Sequence, residues 1–582
     1  SGVTNSGLVA GLGKNAAYVG GIAGLNDAEW GSTNAANTAA TIQNCVSSMA
    51  SDTATNSSRS ALLQALSTYE DTNKEKATTR ADYVGGLVGR NGKNAVLTWD
   101  TDASKVQIGA VICGNDFVGG LVGCNDATAK ITNTSTSLLT VSGEIVGGKA
   151  VGGMIGLNLA PALPAADIKV TEISGALCVG GVIGANMPVA GTDGTAFTIK
   201  ETTTSGSTAG RFTTTAKAGR IKADGLAGGI IGYNCLLASA PGAANLTTIL
   251  PAVAEKTGLV TVNTLPRSDK EMNLNGAANQ FNLEVNAYAG GIVGYNDAAT
   301  HLTISSATNG SDSNAASVGS LKMRGETGIL GSGVSLQDYN NSFNYNAYVG
   351  SKDARGYMAG GIIGYNAADT TLTLENASNG NQSQAQSYGG LALSPRADAA
   401  NGGAYRLDSG VSLGELDPDH NGYFAGGIIG CTTAKTTLNH CTNYGGVQHP
   451  VAAGGLTGVN NGTITNGRMV NSMGSQQEGY RYLGGIAGIN NGTITNSAPA
   501  ESSSIRGGLD IGGVAGYNSK SGVITLENAS GNVYGITVTG GVAGYNLGTV
   551  TARSVTVKVS GTTQTGGVAG LNAASGTIGQ DP

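Results

Sequence analysis

Histidine, cysteine and acidic residues gather in one part of this 582-residue chain. Three of its four histidines lie with two cysteines inside thirty residues, at His420, Cys431, His440, Cys441 and His449. Such side chains can bind a metal ion, but the spacing Cys-x8-His-Cys-x7-His matches no common zinc site. His440 also aligns with Asn376 at an expected turn. We therefore predict that this part of the chain holds no metal and that the protein needs no cofactor.

The densest acidic cluster is ELDPDHNGY at 415–423. Paired carboxylates can drive polysaccharide cleavage, so Asp417, Asp419 and His420 are the candidates for catalysis or for a cation site. Pro418 stands among them, which favours a solvated turn. The sequence thus predicts no enzymatic activity, with a polysaccharide-active enzyme kept as the alternative.

Known cofactor loops are not matched elsewhere in the chain. GLGKN at 11–15 and GRNGKN at 89–94 contain Gly-Lys but lack the earlier glycine and the Ser/Thr of a phosphate-binding loop. There is no HExxH zinc motif. Gly-Gly-x-x-Gly superficially resembles a dinucleotide loop, but Val19, Ala289 and Leu483 stand where the opening glycine should be.

The dominant feature is a repeated motif, Gly-Gly-aliphatic-x-Gly-x-Asn. Its fourteen copies begin at Gly20, Gly85, Gly119, Gly152, Gly180, Gly228, Gly290, Gly360, Gly426, Gly454, Gly484, Gly512, Gly540 and Gly566. From Gly426 onward the spacings are 28, 30, 28, 28 and 26 residues. A period of a few tens of residues indicates a stacked array in which each unit buries its apolar face against its neighbours.

The composition of the unit distinguishes strands from helices. Each unit carries several Gly with many Thr, Val and Ile, and few of the residues that favour helices. HLTISSATNG at 301–310 and TLTLENASNG at 371–380 are short alternating strands that end in Asn/Gly turns. The sequence therefore predicts an all-β fold, a parallel β-solenoid with rungs of roughly 28 residues and ~15 to 20 rungs at about 4.8 Å spacing.

Two interior columns are expected from the motif. The aliphatic residue after each Gly-Gly should stack on its equivalents, and the motif asparagine should form an amide ladder, as stacked amides do in cross-β arrays. Thr432 replaces the asparagine in one copy. The ladder residues are Asn26, Asn91, Asn125, Asn158, Asn186, Asn234, Asn296, Asn366, Asn460, Asn490, Asn518, Asn546 and Asn572.

GGIAGINNGTITN at 484–496 and GGLTGVNNGTITN at 454–466 resemble the GLUG-type repeat. That repeat occurs in large secreted or wall-attached bacterial proteins, including the β-solenoid parts of IgA-cleaving metallopeptidases and of adhesin-like proteins. The resemblance is tightest over 426–582. It implies an extracellular or cell-surface bacterial solenoid and does not imply peptidase activity.

Charge and cysteine usage limit the possible partners. The net charge is −6, only 12% of residues are charged, and there is no Lys/Arg run, so nucleic-acid binding is not expected. No apolar stretch of 18 residues is present, so no membrane insertion is expected. No secretory or sorting signal is present either, and we interpret the chain as a processed piece or fragment.

Seven cysteines exclude a complete disulfide framework. Cys441 aligns with Ala377, which predicts buried apolar roles, with a disulfide between rungs as the alternative.

The chain is expected to be a single elongated solenoid over 1–582. Within it we predict a partly helical insertion or cap at 27–80, based on ALLQALSTYE at 61–70. Irregular rungs should follow over 81–227, rungs with long side insertions over 228–425, and regular rungs over 426–582. The insertions 311–356 and 381–422 share the sequence SGVSL, and 240–286 is a candidate third copy.

Tyrosines recur at two positions of the motif. One set precedes the Gly-Gly and the other precedes the motif asparagine, which predicts two aromatic columns. Such columns can bind sugars, although stabilisation of the stack is the favoured interpretation. The two sets are Tyr18, Tyr83, Tyr288, Tyr482, Tyr357 and Tyr423, and Tyr233, Tyr295, Tyr365, Tyr517 and Tyr545.

Together these patterns predict a non-enzymatic structural or adhesive repeat protein, such as a surface stalk or a self-assembling fibre subunit. Its expected partners are further copies added end to end, and a host or carbohydrate ligand on the insertions of 228–426. A passive spacer of a larger secreted peptidase is a further alternative.

Overall fold

A computed structural model of the protein describes residues 2–5, 9, 18–28, 39–48, 81–103, 106–135, 137–190, 197–200, 211–215, 219–242, 246–253, 260–261, 265–285, 287–297, 301–310, 321–323, 358–367, 370–380, 391–392, 424–448, 452–470, 473–474 and 481–579. The chain divides into two units. Unit 1 comprises Ser1–Pro251 with Val262–Phe281, and unit 2 comprises Ala252–Thr261 with Asn282–Pro582. Each unit is a parallel β-solenoid.

Every copy of the motif contributes one short strand that ends at its first glycine, here called the glycine strand. Equivalent residues pair in parallel between successive copies, as in Phe117–Gly119 with Ala150–Gly152. The glycine strands of unit 1 are Tyr18–Gly20, Tyr83–Gly85, Phe117–Gly119, Ala150–Gly152, Cys178–Gly180 and Leu226–Gly228. Those of unit 2 are Tyr288–Gly290, Met358–Gly360, Phe424–Gly426, Ala452–Gly454, Arg481–Gly484, Leu509–Gly512, Val538–Gly540 and Gln564–Gly566.

A second strand of each copy ends at or next to the last motif position and is called the asparagine strand. In unit 1 these strands are Ala23–Asn26, Val88–Asn91, Val122–Asn125, Ile155–Asn158, Ile183–Asn186 and Ile231–Asn234. In unit 2 they are Val293–Asn296, Ile363–Asn366, Ile429–Cys431, Thr457–Asn460, Ala487–Asn490, Ala515–Asn518, Ala543–Asn546 and Ala569–Asn572. They also pair in parallel and in register within each unit, so that motif asparagines face one another.

A third strand follows the asparagine strand in every rung of unit 2. These third strands are His301–Ser305, Thr371–Glu375, Thr436–Asn439, Thr463–Thr465, Thr493–Thr495, Val523–Ala529, Thr549–Val555 and Thr577–Gly579. Unit 1 contains a comparable three-stranded sheet of Thr41–Gln43, Val96–Trp99 and Lys130–Asn133. Its remaining strands of this kind are Ala162–Pro164, Thr198–Lys200 and Glu271–Asn275.

The remaining strands close the rungs. In unit 1 they are Thr4–Asn5, Val46–Ser48, Gln107–Cys113, Leu139–Val146, Ala166–Gly175, Phe212–Thr214, Arg220–Ala223 and Ala278–Asn279. In unit 2 they are Asn282–Val285, Thr308–Asn309, Leu321–Met323, Ser378–Asn379, Leu391–Ala392, Thr442–Asn443, Val447–Gln448, Arg468–Met469, Met473–Gly474, Ala498–Pro499, Ser504–Arg506, Asn532–Tyr534 and Lys558–Ser560. Ala252–Val253 and Val260–Thr261 form an antiparallel pair, and Leu246–Ile249 is a short 3-10 helix.

The Gly-Gly corner joins the glycine strand to the asparagine strand and fixes the direction of stacking. Val514 N donates to Val542 O at 2.9 Å, and the same bond recurs from rung to rung toward higher residue numbers. A Cβ on Gly512 would meet the backbone oxygen of Ala515 and would lie 2.8 Å from Gly544 N. Only glycine fits such an approach. The aliphatic residue after the corner is fully buried in inner rungs, as at Ile292, Ile486 and Val514, and forms the expected aliphatic column.

Near the N terminus the structure departs from the predicted helical insertion. Residues 39–48 contain two strands, Thr41–Gln43 and Val46–Ser48, which pair in parallel with Val96–Thr98 and with Thr4–Asn5 respectively. The helical interpretation therefore fails for these ten residues. ALLQALSTYE at 61–70, which motivated it, lies outside the described residues.

The long insertions also contain rung strands. Leu321–Met323 pairs in parallel with Leu283–Val285, and Leu391–Ala392 pairs in parallel with Leu321–Lys322. Each of the predicted insertions 311–356 and 381–422 therefore contains one described strand that pairs within the solenoid, and their other residues lie outside the described part of the chain. Residues 271–285, within the candidate third insertion, form strands of rungs and so do not belong to a side insertion.

Candidate functional site: asparagine ladders and the edge at 564–579

The motif asparagines form buried amide ladders inside each unit. In unit 1 an unbroken series of Nδ2–Oδ1 hydrogen bonds of 2.9–3.1 Å links Asn26, Asn91, Asn125, Asn158, Asn186 and Asn234. In unit 2 bonds of 2.7–2.8 Å link Asn296 to Asn366, and link in series Asn460, Asn490, Asn518, Asn546 and Asn572.

The ladders have a direction. Each Nδ2 donates to the Oδ1 of the next rung along the chain, so Asn518 accepts from Asn490 and donates to Asn546, both at 2.8 Å. Asn518 Nδ2 also lies 3.3 Å from Gly522 O. The free-energy cost of desolvating a buried amide is offset only when its donors and acceptors form hydrogen bonds. The in-register stack meets that condition for every inner asparagine that has asparagine neighbours on both sides.

Thr432 interrupts the ladder of unit 2. The register that places Ile363 opposite Ile429 brings Asn366 opposite Thr432. Thr432 Oγ1 donates to Asn460 Oδ1 at 3.0 Å, so the bond toward higher residue numbers is kept. On the other side, Asn366 is 1% exposed and its Nδ2 has no hydrogen-bond partner among the described residues. The threonine side chain does not reach back to it.

Completing the ladder should therefore stabilise the protein. In Thr432→Asn the new Oδ1 can accept from Asn366 Nδ2 while the new Nδ2 donates to Asn460. We expect a gain in the free energy of unfolding of about 1 kcal/mol, measured as a higher urea midpoint. Thr432→Leu matches asparagine in size but cannot bond, and it should lower that midpoint. If Thr432→Asn is no more stable than Thr432→Leu, the ladder bond contributes nothing.

A second amide column was missed by the sequence analysis. Asn309 Nδ2 donates to Asn379 Oδ1 at 2.8 Å, Asn379 donates to Asn443 at 2.9 Å, and Asn443 ends on Gly445 O at 3.0 Å. All three side chains are fully buried. In the sequence they stand in TNG, SNG and TNY, where Asn after a short strand indicates a turn. Their recurrence two residues after a small apolar residue, Ala307, Ala377 or Cys441, was the available signal.

Among the described residues, tyrosines of each set stack on one another, as Tyr18 does on Tyr83 and Tyr517 on Tyr545, and in unit 2 the two sets also contact each other. Tyr295 and Tyr365 lie with ring centroids 4.8 Å apart, and Tyr288 of the other set contacts both of them edge-on at 5.7 and 5.5 Å. Tyr482 meets Tyr517 in the same edge-on way at 5.9 Å. The five rings in these edge-on contacts are at most 6% exposed. They therefore cover the strands beneath them, and their ring faces are not available to a sugar.

Near the N terminus the equivalent motif positions hold an ionic cluster. The ring centroids of Tyr18 and Tyr83 are 5.1 Å apart, and the Arg90 guanidinium lies 5.8 Å from the centroid of the Tyr83 ring. Arg90 also makes two bonds to Asp126, at 3.1 and 2.8 Å. Burial raises the pKa of Tyr83 well above its usual range. The guanidinium is satisfied by its neighbours on adjacent rungs, so this cluster ties rungs together.

All seven cysteines are free thiols, and no disulfide joins neighbouring rungs. Burial raises the pKa of Cys441 to about 12 and raises the pKa values of Cys124 and Cys178 well above the usual range. These thiols stay protonated near neutral pH and are poor nucleophiles and metal ligands. They pack as small apolar residues.

The rung at 564–579 is the last one that the structure describes, and its corner donors differ from those of the inner rungs. In those rungs the second motif glycine and the next residue donate to backbone oxygens of the following rung, as Gly541 and Val542 do to Gly566 and Val568. Gly567 N and Val568 N have no such acceptor among the described residues. A Cβ on Gly567 would meet nothing within 4 Å, and Ile578 is 43% exposed.

Most of the other predicted site residues lie outside the described part of the chain. Asp417, Asp419, His420 and His449 lie outside the described residues. His440 occupies a turn with a φ of 51°, as Asn376 does at 52°, and lies 3.1 Å from Asn466. Within the described ranges, no three His, Cys, Asp or Glu side chains are grouped so that they could hold a metal ion. No helix found there has the length and hydropathy to cross a membrane.

Fold and site together define a parallel β-solenoid whose repeated motif residues serve rung-to-rung bonding. Comparison with protein-family models, with curated proteins and with solved structures returned no match. The resemblance of the repeat to GLUG motifs therefore stays a prediction.

Proposed function

We propose that this protein is a non-enzymatic structural repeat protein, a stalk or self-assembling fibre module of a bacterial surface or of the extracellular space. The observation that carries this proposal is the use of the motif side chains. In thirteen of fourteen copies the polar motif residue is an asparagine, and within each unit these asparagines bond chiefly to one another. The repeated residues thus serve stacking and leave no repeated group for chemistry.

The bonding between successive rungs supports end-to-end association. In inner rungs the backbone N atoms of the second motif glycine and of the next residue bind the following rung, as at Gly541 and Val542. A rung of a second copy offers the same donors and acceptors, and the edge of a parallel sheet is a template for another strand. Because every bond of the ladder runs in one direction, the fitting partner is the acceptor side of an equivalent rung. A second copy of the chain supplies such rungs.

Association should show as particle length in negative-stain electron microscopy across a concentration series. We expect particles that lengthen by a fixed increment as the concentration rises. In Gly567→Ala the added methyl group should block a following rung, since a Cβ on the equivalent Gly541 would meet Gly567 O. Gly242→Ala is the control, because Gly242 also has open space around its Cβ and lies in unit 1.

Particles of constant length at every concentration would contradict self-assembly. Lengthening that is equal in Gly567→Ala and in the unmodified chain would place the contact elsewhere than at this edge.

Two further hypotheses concern residues that are largely outside the described part of the chain. One is a carbohydrate or host ligand on the 228–426 insertions, and the other is polysaccharide cleavage at Asp417, Asp419 and His420. A glycan-binding screen and a reducing-sugar assay test these two predictions.

A further inference from the structure

Four neighbouring third strands of unit 2 present two rows of threonine. The first row consists, in order, of Thr463, Thr493, Val523 and Thr549. Each of these residues pairs in parallel with the next. Thr465, Thr495, Thr525 and Thr551 occupy the second row in the same parallel register. Four successive rungs thus repeat the pattern Thr-x-Thr, with one Val for Thr. Thr577 extends the first row by one rung.

The strand alternation sets the orientation of these side chains. The residue between the two rows is Ile464, Ile494, Ile524 or Val550, and each of these is fully buried. Successive side chains of a strand point to opposite faces, so both threonine rows lie on the outer face. Their side chains are half-buried by one another, or exposed as at Thr463.

The hydroxyl groups of this face make no hydrogen bond within the described part of the chain. The side chains of the seven threonines in the four rungs make no hydrogen bond with any described residue. Only their backbone atoms are bonded, for example Thr493 O, which accepts from Asn460 Nδ2. The eight positions carry no charge and no aromatic ring. The face is therefore a regular array of methyl groups and free hydroxyls.

The two repeats of the array follow from strand geometry. Neighbouring rungs are about 4.8 Å apart, and residues i and i+2 of a strand are about 6.6 Å apart. No register shift interrupts the pairing of Thr463–Thr465 through Thr549–Thr551. A flat lattice of this kind holds hydroxyl anchors and apolar gaps at fixed intervals. Bound water is then ordered by hydrogen bonds at the anchors and by cavities over the methyl groups.

We propose that this threonine face binds crystalline water, that is, the surface of ice. The rung spacing and the i, i+2 spacing approximate the two repeats of oxygen atoms on faces of hexagonal ice. Charged side chains would disturb that order; the eight positions contain none, and the exposed Glu527 and Arg553 lie beyond the edge of the array on two of its strands. A crystalline polysaccharide is less suited, because sugar rings are recognised by stacking on aromatic side chains, which the face lacks. This inference does not depend on self-assembly.

The test is the effect of the purified chain on ice growth. Thermal hysteresis and inhibition of ice recrystallisation are measured for the unmodified chain, for Thr495→Lys, and for Ser560→Lys. Ser560 is an exposed strand residue of unit 2 outside the array, so Ser560→Lys controls for an added charge. We expect activity in the unmodified chain and in Ser560→Lys, and loss of activity in Thr495→Lys.

Folding is checked by circular dichroism and by the melting temperature. If Thr495→Lys does not fold, Thr463→Lys replaces it, because Thr463 is the more exposed residue. An unmodified chain without effect on ice growth overturns the proposal, as does a folded threonine variant that is as active as Ser560→Lys. Binding to crystalline chitin or cellulose by a chain that leaves ice growth unchanged would assign the face to polysaccharide and overturn the proposal as well.

Discussion

Gly513→Ala should destabilise unit 2 strongly, whereas Gly567→Ala should leave its stability unchanged. Both residues are the second glycine of the sequence GGVAG, in the motif copies that begin at Gly512 and Gly566. A Cβ on Gly513 would meet the backbone oxygen of Gly541 in the next rung and would lie 3.1 Å from its carbonyl carbon. A Cβ on Gly567 would meet nothing within 4 Å.

The loss of stability in Gly513→Ala depends on which atoms must move to make room for the new methyl group. The atoms that oppose the new methyl group belong to backbone, so a rotamer change cannot relieve the contact. Overpacking of this kind costs typically 1 to 3 kcal/mol and occasionally more, and we expect Gly513→Ala at or above the upper end. The shift also threatens the bond from Gly513 N to Gly540 O, which is 3.1 Å long.

Hydrogen exchange measures this outcome locally. In Gly513→Ala the amides of 510–518 and 538–546 should exchange faster, because the two rungs separate at the corner. The urea midpoint should fall as well. Equal midpoints for Gly513→Ala and Gly567→Ala would contradict the close stacking of the corners. A repeat array need not unfold in one step, so the local measurement carries the comparison.

The repeat made most of the fold predictable from the sequence. Fourteen copies with Gly-Gly at one place require a corner without side chains, and the alternation in HLTIS and TLTLE requires strands. The asparagine column followed from the same reasoning, since an amide that recurs at one position of a stack faces its own copies. These inferences depend on period and alternation, which are visible in a single sequence.

Other features could not be predicted because they depend on contacts between rungs. Leu321–Met323 and Leu391–Ala392 are short strands inside long segments, and their pairing partners are distant in sequence. Asn309, Asn379 and Asn443 stand at expected turns, because Asn followed by Gly, directly or after Tyr444, signals a turn whether or not the Asn side chain is buried. Residues 39–48 lie inside the segment 27–80, for which ALLQALSTYE at 61–70 predicts a partly helical structure. The unbonded Nδ2 of Asn366 follows from a substitution one rung away, which only the register reveals.

Asn518→Leu should be the most damaging change in the asparagine ladder. Asn518 is fully buried and bonds to Asn490 on one side and to Asn546 on the other. Leucine has nearly the same size and fills the site, so water cannot replace the lost amide. Asn490 Nδ2 then loses its ladder acceptor, and Asn546 Oδ1 loses its ladder donor.

The expected cost is the desolvation penalty of those two groups. An unsatisfied buried donor or acceptor costs about 1 to 3 kcal/mol, so the total is roughly 2 to 6 kcal/mol. Asn572→Leu is the matched control within the ladder, because Asn572 is exposed and accepts from Asn546 alone, at 2.7 Å. Asn528→Leu controls for an added apolar group on an exposed strand position.

The comparison of these three variants separates burial from bonding. If the ladder stabilises the stack through bonds on both sides, the urea midpoint falls most in Asn518→Leu, less in Asn572→Leu and least in Asn528→Leu. Faster exchange should appear at 482–490 and 538–546 in Asn518→Leu, because the penalty falls on both neighbouring rungs. A midpoint for Asn518→Leu at or above that of the unmodified chain would show that an apolar column serves as well. The motif asparagine would then set register between rungs and add nothing to stability.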